Sequence, residues 1–164
     1  MLSTIILLRH GESADKQPGQ LDFDRSLTKL GRRSISQAGL YLKEEKLIPD
    51  FIISSNAKRT IETTQAISSV LEIPFDIIIY DPLLYQGSDK DYHTRLSLID
   101  ASFKLVLMVG HNPSISSLIG RLTGSYSTAL HAGQAALIQF TTHANRNFEG
   151  SVGRLTKLIG PFLK

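Results

Sequence analysis

Two hydrophobic rhythms alternate along the chain. Short apolar runs without polar alternation lie at residues 5–8, 51–53, 77–79 and 105–109, rich in isoleucine, leucine and valine. Runs of this kind predict strands buried on both faces, as in a parallel sheet. Between them the apolar residues take a helical period. Leu30, Ile35, Ala38 and Leu42 mark a helix from about Thr28 to Lys46, capped by Thr28, with Gly31 where a capping box would place Glu. Ala57, Ile61, Thr64, Ile67 and Leu71 make a second stripe, with Ser55 or Asn56 as its cap. Tyr92, Leu96, Ile99 and Phe103 predict a third helix. Ile115, Leu118, Ile119 and Leu122 predict a fourth, with Pro113 in its first turn. Beyond Gly133 the pattern returns to strands, at 135–140 and at 152–159 (the latter a strand or a less regular tail), around a turn region at 145–150. Strands alternating with helices predict a three-layer α/β/α sandwich with a mostly parallel central sheet. No repeat or linker interrupts the pattern, so residues 1–164 are read as a single domain.

Composition narrows the chemistry more than the fold. With 41% hydrophobic and 20% charged residues, the chain is of globular type. It has no cysteine, which excludes disulfides, thiolate metal sites and a cysteine nucleophile. The net charge is only +3 despite a pI near 9.2. The densest basic stretch, Arg25, Lys29, Arg32 and Arg33, lies beside Asp22 and Asp24 and lacks the aromatics of a nucleic-acid surface. It reads as a solvated helix face first and as a docking surface for an acidic phosphoprotein second. The first apolar run is too short for a signal-peptide core, and nothing approaches the roughly 20 apolar residues of a membrane span. A soluble, cytoplasmic protein with no nucleic-acid or membrane partner is the expectation.

In open α/β sheets, ligands bind beyond the carboxyl ends of the strands. Arg9-His10-Gly11-Glu12 follows the first run, Ser54 through Arg59 the second, and Gly110-His111-Asn112-Pro113 the fourth. Converging, these ends would bring two guanidiniums and two imidazoles together. Arginine presents a planar, permanently charged fork to phosphate oxygens. A neutral imidazole can attack phosphorus and carry it covalently. Neighbouring guanidiniums should depress its pKa and keep the attacking nitrogen free. Each piece also has a plain reading: a loop histidine, a turn, and an Arg59 paired with Glu62 or Glu72. Their joint occurrence at three strand ends favours function. Zinc is disfavoured, since two histidines fall short of its usual ligand count and two arginines would repel it. The reading therefore requires no metal and no cofactor.

These residues resemble the histidine phosphatase superfamily, with its phosphoglycerate-mutase-like fold. The matching pieces are Leu8 to Glu12, Leu27-Thr28 with Gly31, Ser54-Ser55 through Arg59 and Thr63, and Val109 to Pro113. The resemblance implies that His10 is the phosphorylated nucleophile. It implies that Arg9, Arg59 and His111 bind and stabilise the transferring group, with Gly11 and Asn112 adjoining as phosphate-binding candidates. The small size and the Leu27-Thr28-x-x-Gly31 segment are most similar to the SixA-type phosphohistidine phosphatases. That likeness implies a phosphorylated protein, such as a phosphotransfer domain, as substrate. Many members carry a glutamate acid after the third strand; here Gln86 stands there, with Asp89 and Asp91 read as helix N-terminal residues and Glu12 also nearby. An alkoxide leaving group needs a proton and an imidazole depends on one less, which favours phosphohistidine. Two alternatives stay open: a phosphatase of small phosphomonoesters, and a non-catalytic phosphoprotein-binding module. Of the other histidines, His93 is read as solvated or half-buried, His131 as a residue that would line the pocket rim in the sharper of two readings, and His143 as exposed.

Overall fold

The computed structural model describes residues 4–140 and 152–162. Six strands form one sheet in the order β3-β2-β4-β1-β5-β6: β1 (Thr4–Arg9), β2 (Phe51–Ser55), β3 (Ile78–Asp81), β4 (Leu105–Gly110), β5 (Ala135–Gln139) and β6 (Arg154–Ile159). The first four run parallel to one another. β5 pairs antiparallel with β1, and β6 antiparallel with β5. Five helices complete the fold: α1 (Lys29–Glu44), α2 (Lys58–Leu71), the short α3 (Leu83–Gln86), α4 (Asp89–Ser97) and α5 (Ser114–Thr123).

Alternation along the central strands builds two cores. Ile5 and Leu7 of β1 face one way, with Tyr92 and Leu96 of α4 and Ile115, Leu118 and Ile119 of α5. Ile6 and Leu8 face the other way, with Ile35 and Leu42 of α1 and Ile67 and Leu71 of α2. This is the α/β/α sandwich expected from the alternating rhythms. β1 and β4 are buried on both sides, as their unbroken apolar runs require. β3 departs from that reading. It is one of the two edge strands, and Ile79 is half exposed.

The helix boundaries shift for local reasons. Thr28 does cap α1, its Oγ1 accepting from Gly31 N–H at 2.9 Å. Glu12 replaces the missing capping-box partner: its carbonyl takes the Thr28 N–H and its carboxylate the Thr28 hydroxyl. Gly31 lies so close to the Glu12 backbone that a Cβ would collide with the Glu12 carbonyl. Leu30, assigned to the apolar face, points outward; Gly31, Ile35, Ala38 and Leu42 form that face. Neither Ser55 nor Asn56 caps α2. Its cap position is Ala57, with no side-chain bond, and the Ser55 hydroxyl is used elsewhere. α4 ends at Ser97, so Ile99 and Phe103 pack from the turn beyond it. Asp89 and Asp91 lie in the first turn of α4, where Ser88 and Asp91 form a reciprocal capping box. The expected turn at 145–150 and His143 lie outside the described residues. Among the described residues, no helix is long and apolar enough to cross a membrane.

Candidate active site

Neighbouring strands β2, β4 and β1 deliver their last residues to one edge of the sheet. Arg9 of β1 is in register with Gly110 of β4, so His10 and His111 emerge side by side. Their ring centroids lie 5.2 Å apart. Backbone bonds fix this edge. His10 N–H donates to Gly110 O at 3.1 Å, and Gly133 N–H donates to His10 O at 2.9 Å. A Cβ on residue 110 would sit 2.5 Å from the Tyr92 ring, so glycine there lets the tyrosine pass beneath the strand end. The Tyr92 hydroxyl donates to Leu84 O at 2.7 Å and accepts from His111 N–H at 3.1 Å. Burial pushes the pKa of this phenol up to about 12.

His10 is almost entirely buried. Its Nδ1 lies 2.8 Å from Gly11 O, a carbonyl that can only accept. The bond assigns the ring proton to Nδ1 and leaves Nε2 as a lone-pair nitrogen. Gly11 is held in turn, its N–H donating to Thr63 Oγ1 at 3.1 Å while the Thr63 hydroxyl donates to Arg59 O at 2.7 Å. Burial pushes the His10 pKa down to about 4; the Gly11 bond opposes this, and Arg59, Arg9 and Arg25 add repulsion. The direction is the one expected from the sequence, but burial outweighs the arginines as its cause. For His111, burial first, then His10 and Arg59, push the pKa down to about 3. Both rings are neutral at neutral pH.

Arg59, in the first turn of α2, is 7% exposed. Its Nε points at His10 Nε2 from 3.3 Å. Its two Nη groups donate to one residue, Asp22, at the backbone oxygen (2.7 Å) and at Oδ2 (3.0 Å). The plain reading of Arg59 as a partner of Glu62 or Glu72 does not hold: Glu62 pairs with Arg32 and Glu72 with Lys43. Arg9 donates through Nη1 to Leu130 O at 2.9 Å. Asn112 Nδ2 donates to that same carbonyl at 2.9 Å, and its Oδ1 accepts from Ser116 Oγ at 2.5 Å. Both ends of the Asn112 amide are thus spent, one on the loop that carries Leu130 and the other on Ser116 of α5. Two buried atoms of the cluster have no partner in the protein, Arg9 Nε and His111 Nδ1.

Sequence reasoning missed the cover of this cluster. Residues 12–28 fold back on themselves, with Ser13 bridging Leu27 and a short 3-10 turn at Asp22–Asp24. Asp22 also accepts from Tyr85 OH at 2.9 Å and from Arg25 Nη1 at 3.0 Å. Arg25, ahead of Tyr85 and Arg59, holds its carboxyl well below the usual carboxylate range. Tyr85 stacks edge-on against Phe23 and His111 and lies under the Arg59 guanidinium. In the sequence Asp22 is only an acidic neighbour of the basic stretch, and no local pattern ties it to Arg59. The basic stretch is not one face: Arg25 turns into the cover toward Asp22, Ser13 and Ala14, Arg32 pairs with Glu62, and Lys29 and Arg33 are exposed.

The other candidates are engaged or lie on the outside. Gln86 is exposed beside a cavity of about 350 Å³ lined by Pro82, Leu83, Tyr85 and Asp91. Asp89 pairs with Arg121. His93 is half-buried on α4, and His131 is exposed, on the turn whose Gly133 touches the His10 backbone. Among the described residues, no group of three or more His, Asp or Glu converges as a metal site.

Comparison with known proteins agrees with this geometry. The family model of the histidine phosphatase superfamily (branch 1) matches residues 5–81. The fold is similar to that of a SixA-designated protein of Agrobacterium tumefaciens, with 26% identity, a TM-score of 0.82, and 98% of this chain and 99% of that chain covered. It also resembles the protein histidine phosphatase SixA solved with tungstate (20% identity, TM-score 0.83, 96% and 97% covered). An uncharacterised chloroplastic protein of Arabidopsis thaliana is 27% identical over 143 residues, which are 82% of this chain and 65% of that longer relative. With the strand-end Arg-His pair, the buried Arg59 and the second histidine on one sheet edge, the chain is similar to the histidine phosphatase superfamily over residues 5–81 and has the fold of the SixA-designated proteins.

Proposed function

We propose that the protein is a metal-independent phosphatase that transfers the phosphoryl group of a protein phosphohistidine through His10. The family is one of phosphatases; the substrate and the residue roles are our reading. The observation that carries it is the state of His10, with Nδ1 tied to Gly11 O and Nε2 deprotonated beside the Arg59 guanidinium.

In this mechanism His10 Nε2 attacks phosphorus, and the bond from phosphorus to the substrate nitrogen breaks. The phosphoryl oxygens take up Arg9 Nε, the Arg59 Nε proton now shared with His10, and His111. Such preorganised donors act on charge as it develops. A substrate imidazole whose second nitrogen already carries a proton leaves neutral and needs no acid from the enzyme. Water then attacks phospho-His10 and releases phosphate. The carboxylate at the site supports this choice of substrate. Asp22 is held strongly ionised and is spent on Arg25, Tyr85 and Arg59, so it is a poor proton donor for an alkoxide. The cavity beside Tyr85 has room for a small organic group and keeps phosphomonoesters as the second reading.

The test is a single turnover with a labelled phosphohistidine protein. An acid-labile, base-stable phosphoenzyme should form and be absent in His10→Ala. Turnover beside sugar and nucleotide monophosphates separates the two substrate readings. Activity that survives His10→Ala, or that is lost to chelators and restored by zinc, would refute the mechanism.

A further inference from the structure

Ser55 is fully buried at the end of β2 and has no part in the mechanism above. Its hydroxyl makes two contacts. It accepts from Ala57 N–H at 3.3 Å and lies 2.9 Å from His111 Nε2. A hydroxyl has a single hydrogen to give. With Ala57 N–H already directed at the oxygen, the arrangement that satisfies both the Ser55 hydroxyl and His111 Nε2 sends the Ser55 hydrogen to His111 Nε2. Were Nε2 protonated instead, Ser55 would hold two incoming donors, and its own hydrogen would be left buried without an acceptor, at a cost typical of an unmade buried bond.

We propose that Ser55 is a positioning residue that locks His111 in the tautomer with its proton on Nδ1, making that nitrogen a neutral hydrogen-bond donor for the transferring phosphoryl group. Three further observations fit. Nδ1 is the buried His111 atom without a protein partner, so its donor is uncommitted. The ring sits 5.2 Å from His10, on the strand next to it. The Tyr92 hydroxyl accepts from the His111 backbone N–H and the Tyr85 ring lies edge-on against the imidazole, so the residue is held on both its backbone and its flank. The consequence is a division of labour between two hydrogen-bonded imidazoles. Gly11 O makes His10 a lone-pair nitrogen at Nε2, and Ser55 makes His111 a donor at Nδ1. The first forms the bond to phosphorus; the second stabilises the oxygens without carrying a full charge. This deepens the functional reading above and rests on it for the word phosphoryl, while the tautomer itself does not.

The experiment is nitrogen NMR of enzyme labelled in its histidine rings, with the His111 signals assigned by loss in His111→Gln. In the wild type the His111 signals should show the Nδ1–H pattern. In Ser55→Ala they should move toward the Nε2–H form or a mixture. kcat for phosphoenzyme formation should fall roughly tenfold to a hundredfold, the range typical for partners that orient a site ligand, with KM changed much less. Ser55→Thr, which keeps the hydroxyl, should restore both signals and rate. Ser54→Ala is the control. It removes a neighbouring buried hydroxyl that bonds only to the Ser55 carbonyl, and its kcat should stay within about twofold of wild type. A wild-type Nε2–H pattern overturns the proposal, as does an unchanged His111 pattern in Ser55→Ala, or an equal loss of kcat in Ser54→Ala. Should Ser55→Ala fail to fold, the wild-type pattern and Ser55→Thr decide. Absence of any phosphoenzyme in the wild type would refute the functional reading and leave the tautomer measurement standing.

Discussion

His10 and His111 stand on neighbouring strand ends and are held by backbone pairing, whereas Asp22 reaches the adjoining Arg59 from the loop between β1 and α1. The floor of the site is built by the register of β1 against β4 and by Gly110, Gly133 and Tyr92 packed around it. The cover is built from side chains: Asp22 on Arg59, Tyr85 and Arg25, and Glu62 on the Leu27 N–H. The floor is rigid because its atoms belong to the core. The cover depends on charge pairs that are partly exposed, the kind that contribute little individually in water. If the substrate is a phosphorylated protein, as proposed above, the site gains from this asymmetry. What reacts is fixed, and what blocks the fork of Arg59 can let go.

The comparison can be broken most forcefully at the floor. His10→Ala should remove the phosphoenzyme and lower turnover by roughly 10⁴-fold or more, as for other lost nucleophiles; labelled-substrate gels and steady-state rates measure it. Arg59→Lys keeps the charge but loses the fork, and kcat/KM should drop roughly a hundredfold. A loss below tenfold would mean that the fork does not act in the transition state.

Next comes pH. The folded pKa of His10 is about 4 and that of His111 about 3, both below the ordinary 6.5. The unfolded chain therefore binds more protons between these values, and stability falls as pH drops from 6.5 toward 4. Each ring contributes up to about 1.4 kcal/mol per pH unit in that window. Above 6.5 neither contributes a slope. Urea titrations across the range should show the loss, and His10→Gln should reduce it to the share of His111. Activity should hold down to about pH 5 and decline as His10 protonates near 4.

At the cover the effects are smaller. Asp22 competes with an oxyanion for the Nη groups of Arg59, so Asp22→Asn should bind tungstate more tightly by roughly fivefold, about 1 kcal/mol in charge-assisted bonds. Weaker binding would show that Asp22 chiefly aims Arg59. The smallest effect is expected at Asn112, which holds the Leu130 carbonyl that receives Arg9. Asn112→Ala should raise KM about threefold through a loosened Arg9, with kcat nearly unchanged.

The floor was legible in the sequence because its residues directly follow apolar runs that can only be buried strands. Arg9, His10, Arg59 and His111 needed no more than that and one helical turn to be brought together. The cover was not legible, because Asp22 and Tyr85 are 63 residues apart and meet through a loop with no period of its own. Ser55 and Asn56 were misread as caps for a related reason. Hydroxyls near a helix start usually serve the helix, but here the strand's own neighbour claims the Ser55 hydroxyl. Leu30 misled by simple apolarity, since the helix needs Gly31 inward to clear Glu12. The edge position of β3 could not be read from a run as apolar as the central ones.

The pairing of Arg9 with Gly110 has one more consequence. A slip of one residue between β1 and β4 would turn every side chain of the moved strand to the opposite face. The two imidazoles would then point into different layers, and the buried faces of the sheet would be wrong as well. The site has no assembly step of its own; it is inherited from strand pairing. A chain recovering from denaturant should regain turnover together with its sheet, without a lag between the two.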